Sequence, residues 1–451
     1  MALKNRFFSS YWFRSGLFSI LQRFSITLFG MFSLMALAKK GLSLPEMGVY
    51  GIFLTVITVF ENTKVALLKG AHIKFMSTNE DAGEKTRIAS SSLLVNASIS
   101  AVFILLLLLF GPALGRALHM GPELAVMLRW YIPGLVAMVL FSHLEATQQG
   151  HLDFKGVFAG YLARQVIFFC LVLGKVLTGR PLSLKEVALY LSVSVILGTI
   201  VLYGYTKKYL RHRWDYEGRW TTRLLGFGGY IFGSGVVSNI FQSLDKVMTA
   251  ALLGSSAYVA EYDMAARVNQ FIDTPSYAAA EVLFPKAAQA SEREGTEKVR
   301  YLFERMVSAL LCFTIPVAVI ISLVPALVIR IIAKPDYVVA APILQLYMIS
   351  GVLRPAQTQA ANLLNSIGKA RLSFLMNAGY LAVNLGISYV CLVTIGFYGA
   401  AIGSVITFLL GAVSWYFVMK KQIGFRLTGV WYYMREYGRI GYGYAMRLFA
   451  R

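Results

Sequence analysis

Apolar runs of about 20 residues, the length a helix needs to cross a bilayer core, recur along the whole chain with short polar turns between them. In the first half they cover 16–38, 45–68, 88–110, 124–147, 156–174 and 187–205. The pattern breaks at 207–223, a charged segment bearing Trp214 and Trp220, and resumes over 224–252, 259–282, 306–329, 338–364, 372–394 and 397–419. The expected organisation is an amino-terminal lobe over 1–206 and a basic cytoplasmic linker over 207–223. A carboxy-terminal lobe over 224–419 and a basic, aromatic cytoplasmic tail over 420–451 complete it.

The two halves repeat. Ala159-Gly160-Tyr161-Leu162-Ala163 recurs as Ala378-Gly379-Tyr380-Leu381-Ala382, and each copy follows a polar turn holding Gly150 or Gly368. Two copies of a six-helix unit explain the match, and parallel repeats of this kind surround a cavity near the membrane midplane. The fold class expected is an all-α polytopic membrane protein, about 12 transmembrane helices in two pseudo-repeated six-helix lobes around a central cavity.

Composition excludes the main alternative. With 57% hydrophobic and 14% charged residues and a mean hydropathy of +0.62, the 451 residues cannot cover themselves with a water-facing surface, so a soluble enzyme is ruled out. The net charge of +21 does not point to nucleic acid, because the 43 Lys and Arg are strung between apolar runs instead of forming one patch. Their sidedness is informative: 28 fall on the side of the amino terminus, eight on the opposite side and seven inside spans. Cytoplasmic loops carry the positive excess, so both termini are expected in the cytoplasm and the number of spans is even.

No catalytic or cofactor site is expected. Cys170, Cys312 and Cys391 lie in apolar runs without metal-ligand spacing, and no phosphate loop, nucleophile elbow or His-Glu-x-x-His pair occurs. His72, His119, His143, His151 and His212 are scattered. The informative residues are ionisable groups inside spans, each costing about 2.5–3.5 kcal/mol at a helix centre unless it faces a cavity or a partner. The basic ones are Arg23, Lys64, Arg129, Arg164, Lys246, Arg267 and Arg354.

Several of them sit on polar stripes. Ser19, Gln22, Arg23 and Thr27 share one face of the first span, and Ser238, Gln242 and Asp245 share one in the seventh, flanked by Asn239 and Lys246. The eighth carries Asp263, Arg267, Gln270 and Tyr277, and the tenth Tyr347, Ser350, Arg354 and Gln357. Asp263 and Arg267, one turn apart, form either a structural pair or part of a site. Arg129 is expected to snorkel to the outer headgroups and Lys64 to the inner ones, although Glu61 and Asn62 extend a polar patch beside Lys64. Arg23 and Arg354 have no carboxylate one turn away and are the best candidates for holding an anion. Pro133, Pro275, Pro316 and Pro355 are candidate kinks. Beyond Met419, basic residues interleave with aromatics from Trp431 to Phe449, a composition suited to lying on an anionic headgroup layer.

Ser238-Asn239-x-x-Gln242-x-Leu244-Asp245-Lys246, Leu253-Gly254, Glu261-Tyr262 through Ala266-Arg267, and Val282-Leu283-Phe284-Pro285 resemble the polysaccharide flippases of the multidrug/oligosaccharidyl-lipid/polysaccharide exporter superfamily. So do Gly41-Leu42-x-x-Pro45-x-x-Gly48-x-Tyr50, Asn365-x-x-Gly368-Lys369 and Gly396-x-x-Gly399-Ala400-Ala401. The resemblance covers nearly the whole chain. It implies a bacterial inner-membrane protein that flips undecaprenyl-pyrophosphate-linked oligosaccharide, an O-antigen-type substrate, between leaflets, with a polysaccharide polymerase as a further partner. Arg23, Lys246, Arg267, Arg354 and Lys64 would then meet the pyrophosphate, and Gln22, Asn239, Gln242, Gln270 and Gln357 the sugar hydroxyls. No cofactor is implied, but proton or sodium coupling through Asp245 or Glu61 is compatible with it. The alternative within the superfamily is an ion-coupled multidrug or organic-cation antiporter, which should show carboxylates prevailing in its lobes. A membrane glycosyltransferase would carry a long catalytic loop, which this chain lacks, and a lipid II flippase would need apolar spans after Met419.

Overall fold

A computed structural model describes residues 11–210 and 214–449. The expected cytoplasmic amino terminus and the middle of the linker, His212 included, lie outside the described residues. So do the side chains of Val282, Phe284 and Pro285 and of the tail from residue 440 onward. No strand occurs among the described residues. The first half contains α1 (Tyr11–Ala36), α2 (Leu44–Thr78), α3 (Ala82–Ala117), α4 (Gly121–Trp130), α5 (Ile132–Gly150), α6 (Lys155–Leu177) and α7 (Leu184–Thr206). The second contains α8 (Gly218–Leu253), α9 (Ser256–Arg293), α10 (Thr296–Leu323), α11 (Pro325–Ile332), α12 (Ala341–Ser366), α13 (Ala370–Ile395), α14 (Gly399–Ile423) and α15 (Leu427–Phe449).

Among the described residues nine helices are long and apolar enough to cross a membrane, and ten if the bent pair α4 and α5 is one span, as expected of a multi-pass membrane protein. Local signals place their ends. Ser183 Oγ accepts from the Glu186 N–H at 3.2 Å while the Glu186 carboxylate accepts from the Ser183 N–H at 2.9 Å, a reciprocal cap that starts α7. Gly368, at φ +78°, ends α12 in the left-handed region that favours glycine.

Two of the expected spans are broken. The 124–147 run bends by 47° between Trp130 and Ile132, where Pro133 occupies the first turn of α5 and its missing N–H costs nothing. The 306–329 run ends early, because Pro325 cannot extend α10 and instead opens the short α11. α9 is the polar exception: Glu261, Asp263, Arg267, Asn269, Gln270, Asp273, Glu281 and Lys286 all lie within it.

The chain forms two compact units: residues up to Ser243 with Gly254–Ala260, and Leu244–Leu253 with Glu261 onward. In unit 1, α5 and α7 bury Phe141, Leu144, Val195 and Leu202 against Tyr161 of α6, whose ring meets Phe141 edge-on at 4.9 Å. In unit 2, α10, α12 and α14 enclose Phe303, Val307, Leu363, Trp415 and Met419. The sequence repeat reappears in the pairing, since α6 packs on α7 and α5 on α7 as α13 packs on α14 and α12 on α14. Its glycine has diverged in use. A Cβ on Gly160 would sit 3.0 Å from the Leu202 Cβ, so this glycine lets α6 and α7 approach, whereas Gly379 faces open space. In α14, Gly403 takes over that role against Ser388.

The tail is a helix seated on α10. Glu304 accepts from the Arg426 N–H at 2.9 Å, Ser308 Oγ donates to the Val430 carbonyl at 3.0 Å, and Arg305 Nε donates to the Tyr437 hydroxyl at 2.9 Å. Its other side leaves Trp431, Tyr432, Arg435 and Arg439 exposed, with the Arg435 guanidinium 5.8 Å over the Trp431 ring.

The turn between α5 and α6 is tied to the end of α7 through Asp153, which accepts from Lys208 Nζ and the Tyr209 hydroxyl, each at 3.0 Å, and from the Lys155 N–H at 3.2 Å. Partial burial pushes this carboxyl up, but the hydrogen bonds from Lys208, Lys155 and Tyr209 outweigh it and hold it below the usual carboxylate range. A group whose folded pKa is depressed adds stability that is complete above its unfolded value, about 3.9, and is lost as pH falls through the lower folded value. Asp153→Asn should therefore melt earlier than wild type at neutral pH, and thermal melts should show the gap closing below about pH 4.

Candidate functional site

In unit 2 the polar faces of α8, α9, α12 and α14 meet. Asp263, nearly fully buried, receives Lys246 Nζ at 2.7 Å on one oxygen and Arg267 Nε at 2.6 Å on the other. One carboxylate thus answers two cations, and the Asp263–Arg267 pair one turn apart in sequence is real but three-membered. Adjacent Asp245 and Lys246 diverge as helix geometry requires. Asp245 accepts from Ser404 Oγ at 2.7 and 2.9 Å and from the Tyr347 hydroxyl at 2.9 Å, with no ion pair among the described residues. Its partners are hydroxyls, which can also orient toward a bound cation or a protonated carboxyl.

Arg354 departs from expectation. It is not without a carboxylate: Nη1 donates to Asp273 of α9 at 2.6 Å, and its guanidinium lies 5.5 Å from the centre of the Phe408 ring. The sequence reading compared it with residues one turn away, but the partner is 81 positions off and on another helix. Lys64 is a second correction. It does not snorkel; it is 3% exposed, bonded to Glu61 at 2.9 Å and to Ser100 Oγ at 3.2 Å, because α3 closes over it. Along 244–274 of α8 and α9 and along α12, Lys246, Arg267 and Arg354 stand against Asp245, Glu261, Asp263 and Asp273.

The amide residues fall in several places. Asn239 accepts from Asn62 Nδ2 at 3.2 Å, Gln242 donates to Ser238 Oγ at 3.2 Å one turn back, and Gln357 donates to the Phe408 carbonyl at 2.7 Å. Gln270 and Arg23 are exposed and Gln22 is half-buried, with Thr27 bonding back to the Arg23 carbonyl at 3.0 Å. Thus Lys246, Arg267, Arg354, Asp245 and Gln357 belong to unit 2, and Gln22, Arg23, Glu61, Lys64, Asn239 and Gln242 to unit 1.

Sequence reasoning missed Asp273 and Glu261 because it enumerated the basic intramembrane residues and not every acidic one. It also passed over a network in unit 1, where Lys69 donates to Glu145 at 2.7 Å and the Tyr161 hydroxyl donates to the other carboxylate oxygen at 3.2 Å. The signal there was Glu145 within an apolar run.

Residues 42–342 match the family described as polysaccharide biosynthesis protein. The chain is 22% identical to the lipopolysaccharide biosynthesis protein WzxC of Escherichia coli strain K12, over 73% of this chain and 66% of that protein. It is 24% identical to an uncharacterized membrane protein of Methanocaldococcus jannaschii, over 53% of this chain and 50% of that one. It spans about half the length of the first curated relatives it matches. Among solved structures, the lipid II flippase MurJ in an inward closed conformation superposes with a TM-score of 0.77 at 16% identity, over 93% of this chain and 90% of that chain. An inward-facing multidrug resistance MATE family transporter of the MOP superfamily gives 0.77 at 15% identity, over 90% of this chain and 98% of that chain. At these identities the likeness to both structures is one of fold.

Proposed function

Because the chain belongs to the polysaccharide biosynthesis protein family, we propose that it flips undecaprenyl-pyrophosphate-linked oligosaccharide across the bacterial inner membrane by alternating access. Both termini would face the cytoplasm, and a polysaccharide polymerase would take the product on the far side. The family match carries this reading, and the MurJ-like fold and the similarity to WzxC support it. The residues suit the chemistry in a conditional way. Arg354 presents five N–H donors and spends one on Asp273, so a pyrophosphate oxygen can share the same guanidinium. Lys246 and Arg267 are neutralised by Asp263, and an incoming anion would compete with that carboxylate. Coupling to a proton or sodium gradient would use Asp245, held by the Ser404 and Tyr347 hydroxyls, or Glu61, held by Lys64.

One observation favours a second reading, the organic-cation antiporter: carboxylates outnumber cations, four to three, along 244–274 and α12 of unit 2. The test separates the two. Purified protein in liposomes carrying a fluorescent polyprenyl-pyrophosphate oligosaccharide should expose label to an external quencher in a protein-dependent way, with an imposed gradient altering the rate. No translocation, together with gradient-driven uptake of an organic cation by the same vesicles, would establish the antiporter instead.

A further inference from the structure

Unit 1 contains a file of buried polar groups leading inward from one end of its helices. A cavity of about 550 Å³ is lined by Lys85, Ser90, His143, Thr147, His151 and Tyr203, among others. It lies where α2, α5 and α7 end and α3 begins, the side the Lys and Arg bias assigns to the cytoplasm. A second cavity of about 20 Å³ is lined by Lys64, Lys69, His72, Asn96, Ser142 and His143. A water needs about 10–15 Å³ and two to four polar partners, so this space and lining suit one molecule. His143 is 7% exposed and lines both cavities, and its Nδ1 has no hydrogen-bond partner. The His72 ring, 5.3 Å away, is held by Ser92 Oγ at 2.7 Å from Nδ1. Beyond the small cavity Lys64 bonds Glu61 Oε1, while Glu61 Oε2 and Asn96 Oδ1 are buried without partners. Buried polar atoms are almost always satisfied, and one water in the small cavity, whose lining includes His143, Asn96 and Lys64, would satisfy His143 Nδ1 and Asn96 Oδ1 while touching the Lys64 ammonium that holds Glu61.

We propose that His143 passes protons between the larger cavity and the buried Glu61–Lys64 pair. The proposal deepens the coupling part of the function above, naming the proton as the ion and Glu61 as its acceptor. Imidazole can bind a proton at one ring nitrogen and release another from the second, which suits a side chain that touches both cavities. The sequence balances: a hydronium entering the larger cavity from bulk gives its proton to one ring nitrogen of His143 and leaves as water, while the other ring nitrogen gives a proton to the water of the smaller cavity. That water gives one to Lys64 as Lys64 hands its own to Glu61, across the 2.9 Å hydrogen bond already in place. Glu61 ends neutral, Lys64 remains an ammonium, and the pair gains one positive charge. Other titratable groups facing the route are Lys69, bound to Glu145, and His72 on α2; Glu80 just after α2; Lys85 on α3; Glu145 and His151 at α5; Tyr161 on α6; and Tyr203, Lys208 and Tyr209 on and after α7. Tyr131 and Tyr161 lie within electrostatic range of Glu61.

Infrared difference spectra of the purified protein in nanodiscs after a pH jump test this without substrate or transport. A protonated-carboxyl band should rise in wild type and be missing in Glu61→Gln. In His143→Ala it should rise about 100-fold more slowly, the usual worth of a positioned acid–base group, and imidazole in the buffer should restore the rate. His143→Gln, which keeps a polar side chain of similar size, should be equally slow and guards against misfolding of the smaller variant. A band rising at the wild-type rate in folded His143→Gln, or no Glu61 band in wild type, would overturn the relay. Failure of lipid flipping in liposomes would leave these spectra unaffected, so the two ideas fall separately.

Discussion

Arg354→Ala should slow translocation of the lipid-linked sugar by about 10- to 100-fold, the kinetic equivalent of a lost hydrogen bond to a charged group worth about 1.5–3 kcal/mol. The substitution has two effects that must be separated. It removes the cation proposed to meet the pyrophosphate, and it leaves Asp273, 4% exposed, as an unpaired buried charge. The second effect alone can unfold the helix packing. Arg354→Ala combined with Asp273→Ala removes both charges, so it should recover most of the melting temperature while remaining defective in the liposome assay. Arg354→Lys should fall between, because an ammonium is a point charge without the fork that lets one guanidinium serve carboxylate and phosphate together. If the double mutant regains both stability and translocation, Arg354 is a structural partner of Asp273 and the anion contact is refuted.

Asp263→Asn should cost about 3 kcal/mol of stability, the lower end of the range for removing one member of a buried ion pair. The lower end is appropriate because the side chains of Lys246 and Arg267 are 19% and 25% exposed and keep some access to polar surroundings. The effect should exceed that of removing either cation, since Asp263 is the carboxylate that both cations share and each cation is one of its two charged partners. Adding Lys246→Gln to Asp263→Asn should restore part of the loss. Melting of single and double variants in one detergent gives the coupling directly, and an unchanged midpoint for Asp263→Asn would mean that the three-membered pair holds nothing together.

The positions of the helices were legible because the apolar runs match the bilayer length, and the repeat was legible in the recurrence of Ala159–Ala163 as Ala378–Ala382, although Tyr161 meets Phe141 of α5 and Tyr380 meets Trp415 of α14, helices that do not correspond. Where a run continued past Pro325 the apolar pattern was blind to the missing N–H, and one span was drawn too long. The site was legible by residue type and not by partner. Polar stripes on single helices are periodic and can be counted, but the bond from Arg354 to Asp273 joins two helices, and no periodicity within either contains it. For Lys64 the neighbour Glu61 was visible one turn away; burial by Ser100 and the rest of α3 was not. His143 looked like an isolated histidine because its significance depends on two cavities that exist only once α2, α3 and α5 have packed.

The charges of α9 also set an order of events at the ribosome. A translocon presented with this helix alone meets four charges from Glu261 to Asp273, each unfavourable in lipid by about 2.5–3.5 kcal/mol near a helix centre. Lys246 precedes them in the nascent chain, so Asp263 can enter already matched with a cation from α8 and with Arg267 from its own helix. Asp273 has no such advantage. Arg354 is synthesised 81 residues later, after α10 has passed through, and until α12 arrives α9 carries an unanswered carboxylate. Residence of α9 at the lateral gate, beside water or the insertion machinery, is therefore written into the spacing of one ion pair.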